Sequence, residues 1–339
     1  MLDEFLENHR DALDGLKEEK FDIVFAEQLD LCGTALKEAL KIKTHLWISS
    51  CPLMDHMAWI LGVPTPLSYV PVVGDMDISD KPSYIERIWN IIEYIGDVYV
   101  YKQGISEITQ IYRKHYGENF PDAEQIARDS PITFVLADEF LDFPRPILHN
   151  TIYIGGVGIK NNTKGLPEPY KTELEKGKKG VVFFSLGSNA NTKNIPYEFK
   201  KNLFEAFKNL PEYHFLVKIN EGDLEGEELA KSISNLFIFQ WAPQPDILAH
   251  PKLKAFITHG RVAERNGWGV TFDKKKLLHG SKEFLEALKK ILEDPSYQEK
   301  AQRTKRLLST KPFSSSEKFI KFVEFVAEND GILPELQNE

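Results

Sequence analysis

The sequence predicts an α/β chain of two domains, each built on a parallel sheet. Three observations lead there. A chain of 339 residues divides more naturally into two domains of ordinary size than one. Short β-branched and aromatic runs alternate with helical segments. One of these runs, Val181 to Ser185 (VVFFS), is apolar throughout, as a strand buried on both faces of a parallel sheet must be.

In the first part, Phe21 to Ala26 reads as a buried strand, Thr34 to Leu40 as the helix after it and Leu46 to Ser49 as the next strand, closed by Cys51-Pro52. A mostly helical stretch from about Ser83 to Tyr116 places Ile85, Ile88, Ile92 and Ile95 at helical spacing, where they would cover a sheet or line a substrate cleft. Pro and Gly gather between Phe143 and Pro169 around a strand-like island at Tyr153, which sets the boundary: a domain over 1–150, a linker over 151–170, a second domain over 171–330 and a tail over 331–339. In the second domain Val181 to Ser185 runs into Leu186-Gly187-Ser188. A helical stripe of Phe199, Leu203, Ala206, Phe207 and Leu210 follows, then strands at His214–Lys218, Leu236–Phe239 and Lys254–Thr258. Phe284, Ala287, Leu288, Ile291 and Leu292 make an amphipathic helix, and Phe319, Phe322, Val323 and Phe325 a closing one. One junction is tight: ten residues, HGRVAERNGW, separate Thr258 from the next strand candidate, Gly269 to Phe272, and a parallel crossover with its helix takes at least ~10 to 12.

Composition narrows the function. Apolar residues at 42% and charged residues at 27% describe a soluble globular protein, and a net charge of -9 without a basic cluster argues against nucleic acid. Cys32 and Cys51 cannot make a disulfide scaffold and read as buried free thiols, while His250 and His259 lack a third ligand, so no metal site is expected. The acidic N-terminus has neither the basic nor the apolar region of a secretory signal, and no apolar run approaches the ~18 residues of a membrane helix. A soluble, cytosolic chain is the expectation, and the sequon Asn161-Asn162-Thr163 would then go unused. Gly155-Gly156-Val157-Gly158 has no helix after it before Pro167 and reads as linker rather than phosphate loop. The absence of GxGxxG also argues against a dinucleotide oxidoreductase.

Singly, a Trp is usually core, a His a satisfied group and Ser-Leu-Gly-Ser a turn. In order and at strand ends they read differently. The run Phe239 to Gly260 (FQWAPQPDILAHPKLKAFITHG), with FFSLGS and FLDFPRPILHNTIYIGG before it, resembles the UDP-glycosyltransferase family, its animal glucuronosyltransferase-like branch, from about Phe21 to Asn329. The resemblance implies a GT-B-like fold of two Rossmann-type domains, both incomplete here. It implies transfer of a glucuronosyl or glucosyl group from a UDP-sugar to a small lipophilic acceptor with inversion, as in xenobiotic conjugation, without a cofactor, in a family of the endoplasmic reticulum membrane. Trp241 would stack on uracil and Gln244 bond the nucleoside. His259, Gly260, Ser185, Gly187 and Ser188 would surround the diphosphate.

The family's general-base histidine would lie upstream of residue 1, and none of His9, His45 or His56 has its setting. At the place of its orienting aspartate stands Glu27, read equally well as an orienting acid or as a strand-end carboxylate bonded to a neighbouring turn. After Gly260 the family continues with another Gly, a Ser-bearing helix, a Glu, a Val-Pro strand and an Asp-Gln pair. Here Arg261 follows, and RVAERNGWGVTFDKK resembles sequence well beyond that block. Two functions remain in view: the family's transferase, and a catalytically silent, truncated isoform that binds nucleotide weakly and regulates full-length members by association.

Overall fold

The computed structural model describes residues 1–27, 29, 31–73, 81–159, 165–188, 190–258, 262–329 and 331–337. The sequon at 161–163 and the candidates His259 and Gly260, with Arg261, lie outside the described residues. The chain forms two compact units, 1–159 together with 307–339, and 160–306.

The first unit opens with α1 (Leu2–Asn8) and α2 (Arg10–Glu18), followed by β1 (Ile23–Glu27), α3 (Cys32–Ala39), β2 (Thr44–Ser49) and α4 (Asp55–Ile60). Then come the 33-residue α5 (Tyr84–Tyr116), α6 (Ala123–Arg128), β3 (Thr133–Val135) and β4 (Thr151–Tyr153). The four strands form one parallel sheet in chain order, with Glu27 beside Ile48, Ser49 beside Val135 and Phe134 beside Ile152. Pleating sends Trp47, Val135 and Tyr153 to a core shared with Leu6, Ala35, Met57, Tyr112 and Ile126, and sends Leu46, Phe134 and Ile154 to the other face.

The second unit holds α7 (Tyr170–Glu175), β5 (Gly180–Phe184), α8 (Tyr197–Lys208), β6 (Tyr213–Lys218), α9 (Leu224–Lys231) and β7 (Leu236–Phe239). After these come α10 (Gln244–Leu248), β8 (Leu253–Ile257), α11 (Val262–Arg265) and α12 (Lys282–Glu293). Its sheet runs β7-β6-β5-β8, all parallel, the order of a doubly wound α/β layer. Every residue of β5 is buried: Val182 and Phe184 pack with Leu203, Phe207, Phe284 and Leu288 on one face, Val181 and Phe183 with Leu174 and Ile247 on the other. β8 sits at the sheet edge and is buried at none of its five positions.

Several expectations are corrected. The first unit ends at Ile159, within the stretch read as linker, but the chain returns to it within α13 (Pro295–Ser309), so the closing helix α14 (Ser315–Glu328), assigned from sequence to the second domain, packs in the first. Its Phe319, Phe322, Val323 and Val326 cover the Leu46, Phe134 and Ile154 face, which would otherwise stand open to water. Gly269 to Phe272 is not a strand; Phe272 instead packs edge-on against Phe284, ring centroids 5.2 Å apart. The four isoleucines of α5 do not cover a sheet, because all four are exposed. Neither cysteine is in a disulfide, and both are only half-buried.

The glycine run at 155–158 has a packing reason. A Cβ on Gly155 would stand 2.6 Å from the Ala137 carbonyl oxygen, to which the Gly155 amide donates at 2.8 Å. Only glycine lets these backbones approach so closely.

Candidate functional site

In a parallel sheet every strand ends at the same edge, so the segments leaving β5, β6, β7 and β8 emerge together in the second unit. Ser185 follows β5 directly, Trp241 follows β7 by two residues, and Thr258 follows β8. Ser185 is buried, its amide donating to the Ile257 carbonyl at 3.0 Å, so this serine is locked beside the end of β8. Its hydroxyl accepts from the Gly187 amide at 3.3 Å. Gly187 adopts φ +79°, a conformation that side-chain-bearing residues rarely adopt, and so turns the chain sharply above the strand.

Trp241 lies two strands from Ser185, about 10 Å across the sheet at ordinary strand spacing. Its indole is 77% exposed, whereas its carbonyl accepts a hydrogen bond from the buried Tyr170 hydroxyl. Burial pushes the Tyr170 phenol up, which keeps the proton on the donor. A fixed backbone thus carries a free aromatic face. Gln244 opens α10, and its half-buried side-chain amide has no hydrogen-bond partner among the described residues. An aromatic face and an amide with both donor and acceptor capacity can take a heterocyclic base.

Sequence reasoning missed three supports of this edge. Lys218, the last residue of β6, donates from Nζ to the Gly187 carbonyl at 2.6 Å and brings a positive charge to the turn. Thr192 and Asn220 tie the loops after β5 and β6 through two reciprocal bonds of 3.0 and 2.9 Å. Asp223 caps α9 through the Gly226 amide at 3.1 Å and takes the Lys200 ammonium at 2.7 Å, both side chains being buried. Burial alone would raise the Asp223 carboxyl, but the Lys200 ammonium, the Thr192 hydroxyl and the Gly226 amide together outweigh it and the group is held below its usual value. A Lys at the end of a strand or in a stripe of aromatic positions reads as solvent-facing, so no local pattern announced these contacts.

Glu27 ends β1 at the corresponding edge of the first unit's sheet. One carboxylate oxygen accepts from the Ser50 amide and hydroxyl, each at 2.9 Å, and the other from the Leu29 amide at 2.6 Å. Near Glu27 the His56 and Tyr101 rings stack at 3.6 Å, and Tyr101 is pushed up by burial and by the charges of Asp97, Glu27 and Cys51. Asp97 is itself pushed up to about 6 by burial and by Asp55 and Glu93.

Residues 3–264 match the family described as UDP-glucoronosyl and UDP-glucosyl transferase. The Caenorhabditis elegans protein ugt-47, named as a UDP-glucuronosyltransferase, is 36% identical over 360 residues, which cover 98% of this chain and 67% of that one. A second protein so named, ugt-48 of the same organism, is 36% identical over 367 residues, covering 100% of this chain and 69% of its own length. The chain thus spans about two thirds of these relatives. Because 367 aligned positions exceed the 339 residues present, at least 28 positions of ugt-48 face a gap inside this chain. Among solved structures, the glycotransferase of kitacinnamycin shares the fold with a TM-score of 0.61 at 16% identity, over 96% of this chain and 81% of that one. Among the described residues, no helix is long and apolar enough to cross a membrane.

Proposed function

This chain belongs to the UDP-glucuronosyl and UDP-glucosyl transferase family, and on that premise we propose that its second unit binds a UDP moiety weakly, without supporting sugar transfer on its own. The observation that carries the reading is the exposed Trp241 face at the same sheet edge as the Ser185–Ser188 turn. Uracil stacks on Trp241 and bonds Gln244, while the Gly187–Ser188 turn, with Lys218 behind it, meets the diphosphate. His259 and Gly260 follow the end of β8 in sequence.

Taken as one block, the 28 or more unmatched positions are enough for a helix and a strand. We place it after Gly260, where the family's crossover helix would begin and where this chain has the four-residue α11. The half-exposed edge strand β8 is what a sheet shortened by one strand would leave. A crossover helix supplies backbone donors and partial positive charge at its N-terminus, and sugar-contacting side chains beyond it. The inverting transfer of glucuronosyl or glucosyl groups to small lipophilic acceptors is the reaction this edge descends from. The acceptor side is also spoken for, since both oxygens of Glu27 bond Ser50 and Leu29. The chain is proposed to act instead as a silent relative associating with full-length members.

The test is direct. Purified protein given UDP-glucose or UDP-glucuronic acid and a phenolic acceptor should release product no faster than buffer. Robust turnover that disappears in His259→Ala would overturn the silent reading.

A further inference from the structure

Beside β4, the edge strand of the first sheet, the first unit carries a cavity of about 320 Å³. Phe143 and Ile147 from the loop before β4, Ile152 of β4 and Phe322 of α14 supply its apolar walls. The two carboxylates that line it are already engaged. Glu139 pairs with Lys311 at 2.7 Å and with Lys318 at 3.4 Å. Asp142 accepts from the Phe143 amide at 2.7 Å on one oxygen and from the Tyr153 hydroxyl at 3.1 Å on the other.

The polar groups left over are donors. Thr151 is 4% exposed, and its hydroxyl has no hydrogen-bond partner among the described residues. Arg145 directs its two terminal nitrogens to the Leu53 carbonyl at 2.9 Å and the Thr65 hydroxyl at 3.1 Å, while its buried Nε has no partner among the described residues. Lys318 Nζ reaches only Glu139, whose other oxygen is closer to Lys311. The backbone adds one more donor. Asn150 and Ile154 bond to β3, so by alternation Tyr153 turns its amide away from that strand, and no strand lies beyond β4 among the described residues. Buried donors without acceptors are rare and costly in a folded chain, and two of them beside one cavity call for an acceptor that enters it.

We propose that this cavity binds a small aromatic carboxylate, its anionic end taken by Lys318, Arg145 and the Thr151 hydroxyl and its ring by Phe143, Ile152 and Phe322. Size limits the ligand, because the volume lies at the low end of the ~300–1,000 Å³ of ligand pockets. A cation finds no vacant carboxylate oxygen here. Phosphate would bring a second negative charge against Glu139 and Asp142 and leave the apolar walls unused. A monoanion with a flat apolar body meets both the unspent donors and the ring-lined walls.

Fluorine NMR of 4-fluorobenzoate titrated with the whole chain tests this. Binding should appear with a Kd of about 0.1–1 mM, and the neutral isostere 4-fluorobenzamide should bind about tenfold more weakly or worse. Lys318→Gln and Thr151→Val should each weaken the carboxylate about tenfold, the size of a lost bond to a charged group. Thr151→Val should also keep or raise the thermal midpoint, since it removes an unpartnered buried hydroxyl. Lys321→Gln, an exposed lysine on the same helix, should leave binding intact. Excess UDP should not displace the probe, which separates this cavity from the edge of the second sheet. No binding at about 10 mM probe, equal binding of the amide, an affinity unchanged in both Lys318→Gln and Thr151→Val, or displacement by UDP would each overturn the proposal.

Discussion

Replacing His45 by leucine should make the first unit less sensitive to acid. His45 lies on β2 on the same face as Trp47, its ring 6.4 Å from the Trp47 ring, and neither ring nitrogen has a hydrogen-bond partner among the described residues. Burial, with a smaller contribution from Lys37, pushes its pKa from 6.5 down to about 3. A histidine with a depressed folded pKa contributes stability that is fully present above 6.5 and is lost as pH falls toward 3, because only the unfolded chain takes up the proton in that window. At pH 5 the difference amounts to about 2 kcal/mol. Urea unfolding of both proteins at pH 7 and pH 5, with slopes compared to confirm an unchanged transition, should show the parent losing about 2 kcal/mol more than the variant. At pH 7 the substitution itself should cost little, since it removes two unsatisfied nitrogens. Equal losses in the two proteins would refute the reasoning and mean that the imidazole is solvated or bonded.

Lys200→Met leaves the Asp223 carboxylate buried without its cation and should destabilise the second unit by about 3–5 kcal/mol, measured as a fall in its unfolding free energy. Gly155→Ala forces a Cβ against the Ala137 carbonyl and should cost about 1–3 kcal/mol in the first unit without altering nucleotide binding, as a packing glycine requires.

The second sheet was legible because its strands carry their pattern locally. The uninterrupted VVFFS needs two covered faces, and a parallel strand that ends in Ser-Leu-Gly-Ser or Gln-Trp-Ala-Pro must deliver those residues to one edge. Strand β3 was missed because three residues buried after a turn carry no period, and it is fixed only by its neighbours β2 and β4. The partner of α14 was misassigned for a related reason. Its stripe of Phe319, Phe322 and Val323 states that a face is buried but not against which sheet, and that choice is made by long-range packing. The isoleucines of α5 follow a helical period that is equally silent on which side the protein lies; buried Asn90, with its loop carbonyls, decides it. At the proposed site, the strand-end positions of Trp241, Gln244 and the Ser185 turn were readable, whereas Tyr170, Lys218 and the Thr192–Asn220 tie act across elements and leave no mark on neighbouring sequence. The donors to Glu27, Ser50 and the Leu29 amide, likewise come from turns after β2 and β1 that no local pattern marks.

Calorimetric titration with UDP is the measurement that bears most directly on the nucleotide-binding claim. The proposed stacking on Trp241 and the proposed contacts of the Gly187–Ser188 turn would remain, while several charge-assisted bonds worth ~1.5–3 kcal/mol each are proposed to be gone, so affinity should fall by orders of magnitude to the millimolar range. Trp241→Ala should abolish what binding there is without lowering the thermal midpoint, because the indole it removes is exposed. A micromolar or tighter site would contradict the loss of donors. Binding that persists unchanged in Trp241→Ala, or no binding at millimolar UDP, would contradict the assignment of this sheet edge to the nucleotide.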